Sequence, residues 1–79
     1  MENYLKIEIK VKTGIYKHWK GGLYEVLYNA KHSETLEDVV IYRHIGNDIE
    51  KIWVRPTSNF VKYIEEAGKT RFVKVENFT

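Results

Sequence analysis

The sequence predicts an all-β fold, a single small antiparallel barrel. Short segments rich in branched and aromatic residues are separated by polar or glycine turns about every 8 to 12 residues, which is typical of such folds. No helical segment is long enough to connect parallel strands. The 79 residues leave room for one hydrophobic core, and a closed sheet would leave no edge strand exposed.

The N-terminal strand is indicated by strict alternation. From Leu5 to Val11, apolar residues alternate with charged ones, which is the pattern of a strand with one buried face. We therefore treat residues 1–13 as an N-terminal strand extension and residues 14–76 as the barrel domain.

Two hairpins follow. The first joins residues 15–19 to residues 23–28 through the turn at 20–22, where Gly21 and Gly22 supply the positive φ of a tight turn. Residues 23–28 are apolar on both faces apart from one glutamate, so they are expected to form a central strand.

The second hairpin joins residues 39–42 to residues 51–55 through the turn at 46–48. Pro56 has no amide donor and is expected to end the ladder.

A short turn is expected at residues 57–60, directly after Pro56. Residues 61–66 are then predicted as a strand that pairs with residues 71–75 across a turn at 68–69. The spacing of apolar residues from 60 to 67 also fits about two turns of amphipathic helix. We favour the strand because the segment contains branched and aromatic residues and ends close to a glycine.

Three motifs stand in order along the chain: G-x-Y-x-H-x-K-G at 14–21, H-S-E-T at 32–35 and W-V-R-P at 53–56. Together with the strands between them they resemble a family of small bacterial domains of unknown function. The resemblance spans residues 14–60 and implies an SH3-like β-barrel, with no particular reaction. The sequence departs from the family pattern at residues 43–48, at Asn59, where a methionine is common, and in the N-terminal extension.

Aromatic side chains are the best candidates for a functional surface, because flat rings bind peptides, bases and cations at little cost in conformational entropy. The set comprises Tyr16, Trp19, Tyr24, Tyr28, Tyr42 and Trp53, with Arg43 and Arg55 nearby. Core packing competes for the same residues. We predict Tyr24, Val26, Ile41 and Trp53 in the core, and Tyr16, Trp19 and Tyr28 partly exposed.

The predicted function is a non-catalytic binding module with an aromatic groove near Tyr16, Trp19, Tyr42 and Trp53. We assign ligand binding to Tyr16, His18, Trp19, Tyr42 and Arg55. Arg55 has a competing structural role, because it could pair with Glu34 or Glu37. We expect no cofactor.

Charge and hydropathy bear on the partner. The formal charge of +2, from 13 Lys and Arg against 11 Asp and Glu, is small for a nucleic-acid-binding protein. A protein or peptide partner is therefore favoured. Nucleic acid stays open because lysines 6, 10, 12, 17 and 20 could form a phosphate track.

With no apolar stretch of about 18 residues and no signal peptide, we expect a cytoplasmic protein without a membrane partner.

The alternative function is a small hydrolase or metal-dependent enzyme centred on His18, His32 and Glu34. The H-S-E-T motif contains a serine, a histidine and a carboxylate, but adjacent side chains on an extended chain diverge. A capped turn is the structural interpretation. His18, His32 and His44 would make a three-histidine metal set, although no H-x-H or H-E-x-x-H spacing is present.

Overall fold

The computed structural model describes residues 10–46 and 51–76. Its elements in chain order are β1 (Gly14–His18), β2 (Leu23–Lys31), β3 (Asp38–His44), β4 (Ile52–Pro56), α1 (Thr57–Phe60), β5 (Tyr63–Ile64), β6 (Lys69–Thr70) and β7 (Phe72–Lys74). Five strands form one antiparallel sheet in the order β4-β3-β2-β1-β7, and β5 pairs with β6 in a separate hairpin. The all-β prediction is confirmed. Closure of the sheet into an SH3-like barrel stays a prediction.

Both predicted hairpins are present in the sheet. Gly21 and Gly22 turn between β1 and β2 with φ angles of 107° and 93°, which a side chain would disfavour. β3 and β4 are antiparallel neighbours, and Gly46 lies in the connection between them with a φ of 132°. The rest of the predicted turn, residues 47 and 48, lies outside the described residues. β4 ends at Pro56 as expected.

A β-bulge in β2 decides which of its side chains face the core. Val26 pairs with Tyr42, whereas Tyr28 pairs with Ile41, so β2 contains one more residue than β3 between these pairs. The extra residue places Tyr28 and Ile41 on the face opposite Val26 and Tyr42. Tyr28 is consequently 67% exposed, in agreement with the prediction.

The predicted N-terminal strand lies mostly outside the described residues, which begin at Lys10. Residues 10–13 are not in a strand. Instead, the Val11 N–H donates to Asn29 Oδ1 at 2.9 Å, and Asn29 Nδ2 donates to the Val11 carbonyl at 2.8 Å. One side-chain amide thus satisfies both main-chain groups of Val11, whose own side chain is buried.

The core lies between α1 and one face of the sheet. It consists of Val11, Tyr16, Val26, Val40, Tyr42, Phe60 and Phe72. At its centre the rings of Phe60 and Phe72 stack with centroids 4.1 Å apart and an interplanar angle of 4°. The Phe60 ring also makes edge contacts with Tyr16 at 5.5 Å and with Tyr42 at 5.7 Å.

Three predictions about burial are wrong. Trp53 was expected in the core but is 46% exposed, and Ile41 is only half-buried, on the opposite face of the sheet. Tyr16 was expected to be partly exposed but is buried. The reason is that Phe60 and Phe72 fill the centre against Tyr16, so the core does not need the indole of an edge strand. Val26 is buried as predicted, and Tyr24 is half-buried at the margin.

The C-terminal pairing also differs from the prediction. Only Tyr63–Ile64 of the expected strand at 61–66 is extended, and it pairs with Lys69–Thr70. Phe72–Lys74 pairs with β1 instead, because this register brings Phe72 onto the core face. The turn expected at 57–60 is the single helical turn α1. In the described part of the chain, no helix has the length and apolar character needed to cross a membrane.

Replacing the central ring of the core should strongly destabilise the fold. Phe60 is 1% exposed, and Phe60→Ala removes its burial, its stack on Phe72 and its edge contacts. We expect a loss of about 3–5 kcal/mol in the free energy of unfolding, measured by urea denaturation followed by circular dichroism.

Tyr63→Ala is the matched control, because Tyr63 is 57% exposed and should change the free energy of unfolding by less than about 0.5 kcal/mol. An unchanged denaturation midpoint for Phe60→Ala would contradict the assignment of the core.

Candidate functional site

A cleft of about 350 Å³ lies at the β4 end of the sheet. We call it the aromatic cleft, and it is lined by Tyr24, Tyr42, His44, Trp53 and Arg55. Strand register explains why these side chains meet: Tyr24 is opposite His44, and Tyr42 is opposite Trp53. Alternation along β3 and β4 then places His44 and Arg55 on the same face.

The rings of the cleft support one another around Tyr24. The Tyr24 ring meets His44 edge to face at 4.9 Å and Tyr42 at 5.8 Å, and such arrangements are favourable for aromatic pairs. The indole of Trp53 lies at the outer strand and is 46% exposed. The cleft therefore presents one large, partly exposed ring on a base of rings that are fixed by packing.

Arg55 supplies the positive charge of the cleft. Its Nε donates to the Tyr42 hydroxyl at 3.1 Å, and its Nη1 donates to Asn59 Oδ1. The guanidinium carbon lies 5.6 Å from the Phe72 ring centroid. Both hydrogen-bond acceptors are neutral, and among residues 10–46 and 51–76 no carboxylate forms an ion pair with Arg55. The expected pairing with Glu34 or Glu37 is therefore not found.

Arg43, on the opposite face of the sheet, differs from Arg55 because it pairs with a carboxylate. Its Nη2 lies 2.7 Å from Glu25 Oε1, and its Nε donates to the same oxygen at 2.9 Å. Both side chains are half-buried and directly opposite each other in the register. The charge of Arg43 is thus paired with a carboxylate, whereas the contacts of Arg55 with the other described residues are to neutral groups.

Asn59 positions two arginines. Its side-chain oxygen accepts from Arg55, and its main-chain carbonyl accepts from Arg71 Nε at 3.1 Å. Asn59 was not among the predicted site residues. Its place four residues after Arg55, across the turn that Pro56 begins, is a local signal that could have suggested the contact with Arg55.

His18 lies on the same face of the sheet and contacts the core. Its ring packs edge-on against Phe72 at 4.9 Å, and its Nδ1 accepts the main-chain N–H of Lys20 at 3.0 Å. Burial lowers the pKa of His18 below its ordinary value of 6.5, and the charges of Arg55, Arg71 and Lys20 lower it further. Both effects favour the neutral imidazole, whose Nδ1 lone pair accepts from Lys20.

The five predicted ligand-binding residues fall in three different places. Tyr42 and Arg55 line the aromatic cleft. Tyr16 is buried, donates its hydroxyl hydrogen to the Lys12 carbonyl at 2.8 Å and borders a separate cavity of about 280 Å³. His18 and Trp19 border a third depression of about 200 Å³. The predicted binding residues therefore do not line one common cleft.

Two lining residues of the cleft had been assigned differently. Tyr24 was expected in the core, and His44 was considered only as a metal ligand. The predicted strand at 39–42 stopped two residues before His44, whereas β3 continues to it. Extending the alternation would have placed His44 beside Tyr42 on the same face.

The H-S-E-T motif forms a capped turn between β2 and β3. His32 Nδ1 accepts the main-chain N–H groups of Glu34 at 3.1 Å and of Thr35 at 3.3 Å. Thr35 Oγ1 accepts the N–H of Glu37 at 3.2 Å. The turn is as predicted, with His32 as a further capping acceptor.

The residues of the alternative catalytic centre do not come together. His18 ends β1 beside the start of β2, and His32 follows the end of β2. β2 has 9 residues, which at about 3.3 Å per residue separates the two histidines by roughly 30 Å. Within the described residues, no group of three His, Asp or Glu side chains has a metal-binding arrangement.

Comparison with known proteins identifies the family. Residues 14–74 match the model of a protein family of unknown function, DUF1653. A crystal structure of a protein of this family from Bordetella bronchiseptica has a TM-score of 0.76 and 29% sequence identity, covering 87% of this chain and 92% of that chain. No curated protein matches the chain. The chain belongs to the DUF1653 family.

The lowered pKa of His18 predicts a pH-dependent stability. Because the unfolded chain binds the proton more readily, the stabilisation from neutral His18 is complete above its ordinary pKa of 6.5. It is lost as the pH falls from that value through the lower folded-state pKa. From about pH 7.5 to about pH 5, the free energy of unfolding measured by urea denaturation should therefore fall more for the parent protein than for His18→Gln.

A ring-proton NMR titration of His18 gives the direct control, with a midpoint below 6.5. Equal pH dependence of the two proteins, together with a midpoint at or above that value, would contradict the assignment.

Proposed function

We propose that this member of the family is a non-catalytic binding module whose aromatic cleft takes a peptide segment of a partner protein. The volume of about 350 Å³ lies within the range of roughly 300–1,000 Å³ that is usual for ligand sites. Its lining combines aromatic rings with one cation. Trp, Tyr and Arg are also the residues that contribute most to binding at protein interfaces.

The exposed indole of Trp53 is the observation that carries the proposal. A chain that buries Phe60, Phe72 and Tyr42 leaves one of its two tryptophans 46% exposed beside a cleft. Covering such a ring releases water from a large apolar surface and costs little side-chain entropy. A partner segment that packs on Trp53 therefore has a clear energetic gain.

The other candidate functions have less support. An enzyme centred on His18, His32 and Glu34 would require side chains from opposite ends of β2 to act together. A nucleic acid would require a track of cations, and the cleft contributes only Arg55. A peptide requires no more than an apolar anchor point and a few polar contacts.

Trp53→Ala should remove peptide binding without unfolding the protein. Heptapeptides selected from a random phage-displayed library on the parent protein provide the probe, and affinity is measured by isothermal titration calorimetry. We expect at least a tenfold loss of affinity for Trp53→Ala, because truncating a central interface tryptophan costs about 2 kcal/mol or more.

Tyr63→Ala is again the control, because it removes an exposed ring outside the cleft and should leave the affinity unchanged. Unchanged binding of the selected peptides to a folded Trp53→Ala variant would place the binding site elsewhere.

A further inference from the structure

β4 is an edge strand with an exposed surface. In the described part of the chain it pairs only with β3. Its residues Ile52, Trp53 and Val54 are 55%, 46% and 61% exposed. Among residues 10–46 and 51–76, no strand pairs with the main-chain groups on the outer side of β4, and unpaired groups of this kind are how sheet edges bind extended peptides.

The two faces of β4 differ in chemistry. Trp53 and Arg55 point to the aromatic cleft, whereas Ile52 and Val54 point to the opposite face. Alternate residues of a strand are about 6.6 Å apart. A peptide strand lying beside β4 would therefore place alternate side chains over Trp53 and Arg55.

The charge of Arg55 defines what the second of these side chains should be. The five lining residues include no carboxylate, and within the described residues the arginine donates to the Tyr42 hydroxyl and to Asn59, both of them neutral. Arg71, held by the same asparagine, adds a second positive charge nearby. By contrast, Arg43 on the other face already has Glu25. A half-buried guanidinium that has no carboxylate partner in the described part of the chain favours a carboxylate from a ligand.

We propose that the cleft binds an extended acidic peptide segment paired with the outer edge of β4. An aromatic or branched side chain of the segment packs on Trp53, and an Asp or Glu two residues away pairs with Arg55. This deepens the proposed function and rests on it. Pairing is limited to Ile52–Arg55, because Pro56 has no N–H to donate.

A peptide fits these features better than a nucleic acid does. The edge offers main-chain donors and acceptors, and the cleft offers a single binding point for an anion, whereas a phosphate backbone presents a charge at every nucleotide. The chain also has a formal charge of only +2. The chemistry of the site therefore points to one carboxylate beside one apolar side chain.

The test uses phage-displayed heptapeptides inside a fusion protein, selected in parallel on the parent chain and on Trp53→Ala. Peptides enriched only on the parent should carry Asp or Glu two positions from an aromatic or branched residue. Synthetic copies with blocked ends should bind about tenfold more tightly than their Gln or Asn counterparts, as expected for a charge-assisted hydrogen bond.

Two arginine variants make the comparison specific. Arg55→Gln should bind the acidic and amide peptides equally, while Arg43→Gln should keep the tenfold preference. If Arg55→Gln does not fold, the preference of the parent protein for the acidic peptide still decides whether the site selects a carboxylate. NMR shift changes of the Trp53 indole and the β4 amides then show whether the peptide binds in the cleft.

Each remaining outcome is distinct. Peptides that need Trp53 but bind equally well without their acidic residue would overturn this inference and leave the proposed function standing. Selection that enriches no peptide on the parent over Trp53→Ala would overturn both. Binding of a single-stranded DNA oligonucleotide in the cleft, with affinity falling steeply as salt rises, would replace the peptide by a nucleic acid.

Discussion

The stack of Phe60 on Phe72 is the contact on which the rest of the structure depends. α1 has 4 residues, far too few to be a stable helix without tertiary packing. Burial of Phe60 fixes it against the sheet. The same contact selects the place of β7, because pairing of Phe72 with His18 brings the Phe72 ring under α1. A small core is thus completed by two residues from the C-terminal half of the chain.

The charge of the cleft follows from this packing. Asn59 immediately precedes Phe60, so fixing the helical turn also fixes the acceptor of Arg55 and Arg71. The guanidinium of Arg55 is held above the Phe72 ring, where favourable cation–π contact replaces part of its hydration. Because the stacked rings fill the core, Trp53 remains at the edge of the sheet and partly exposed. The aromatic cleft is therefore a consequence of how the core is closed.

Much of the fold can be predicted from local sequence. Gly21 and Gly22 mark a turn because few other residues adopt their backbone conformation, and Pro56 marks a strand end because it lacks a donor. The partner of Phe72 could not be predicted in this way. β1 and residues 61–66 are both suitable neighbours for a short strand, and only the long-range packing of Phe72 on Phe60 distinguishes them.

The candidate site was predicted in part. Tyr42 and Arg55 were identified from residue type, whereas the burial of Tyr16 and the exposure of Trp53 were reversed. Periodicity shows which residues share a face of the sheet, but not how much of that face is buried by other parts of the chain. The bulge in β2 adds a second difficulty, since one extra residue moves Tyr28 to the face opposite Val26. No local pattern of apolar residues indicates this bulge.

Acrylamide quenching of Trp53 fluorescence measures directly whether the indole is exposed in the free protein and covered in the peptide complex. A folded Trp19→Phe variant leaves Trp53 as its only tryptophan. We expect the Trp53 fluorescence of the free protein to be readily quenched, and saturation with a selected peptide to protect the indole and shift its emission to the blue. An indole that is already protected in the free protein, or one whose quenching is unchanged in the peptide complex, would show that the peptide does not pack on an exposed Trp53.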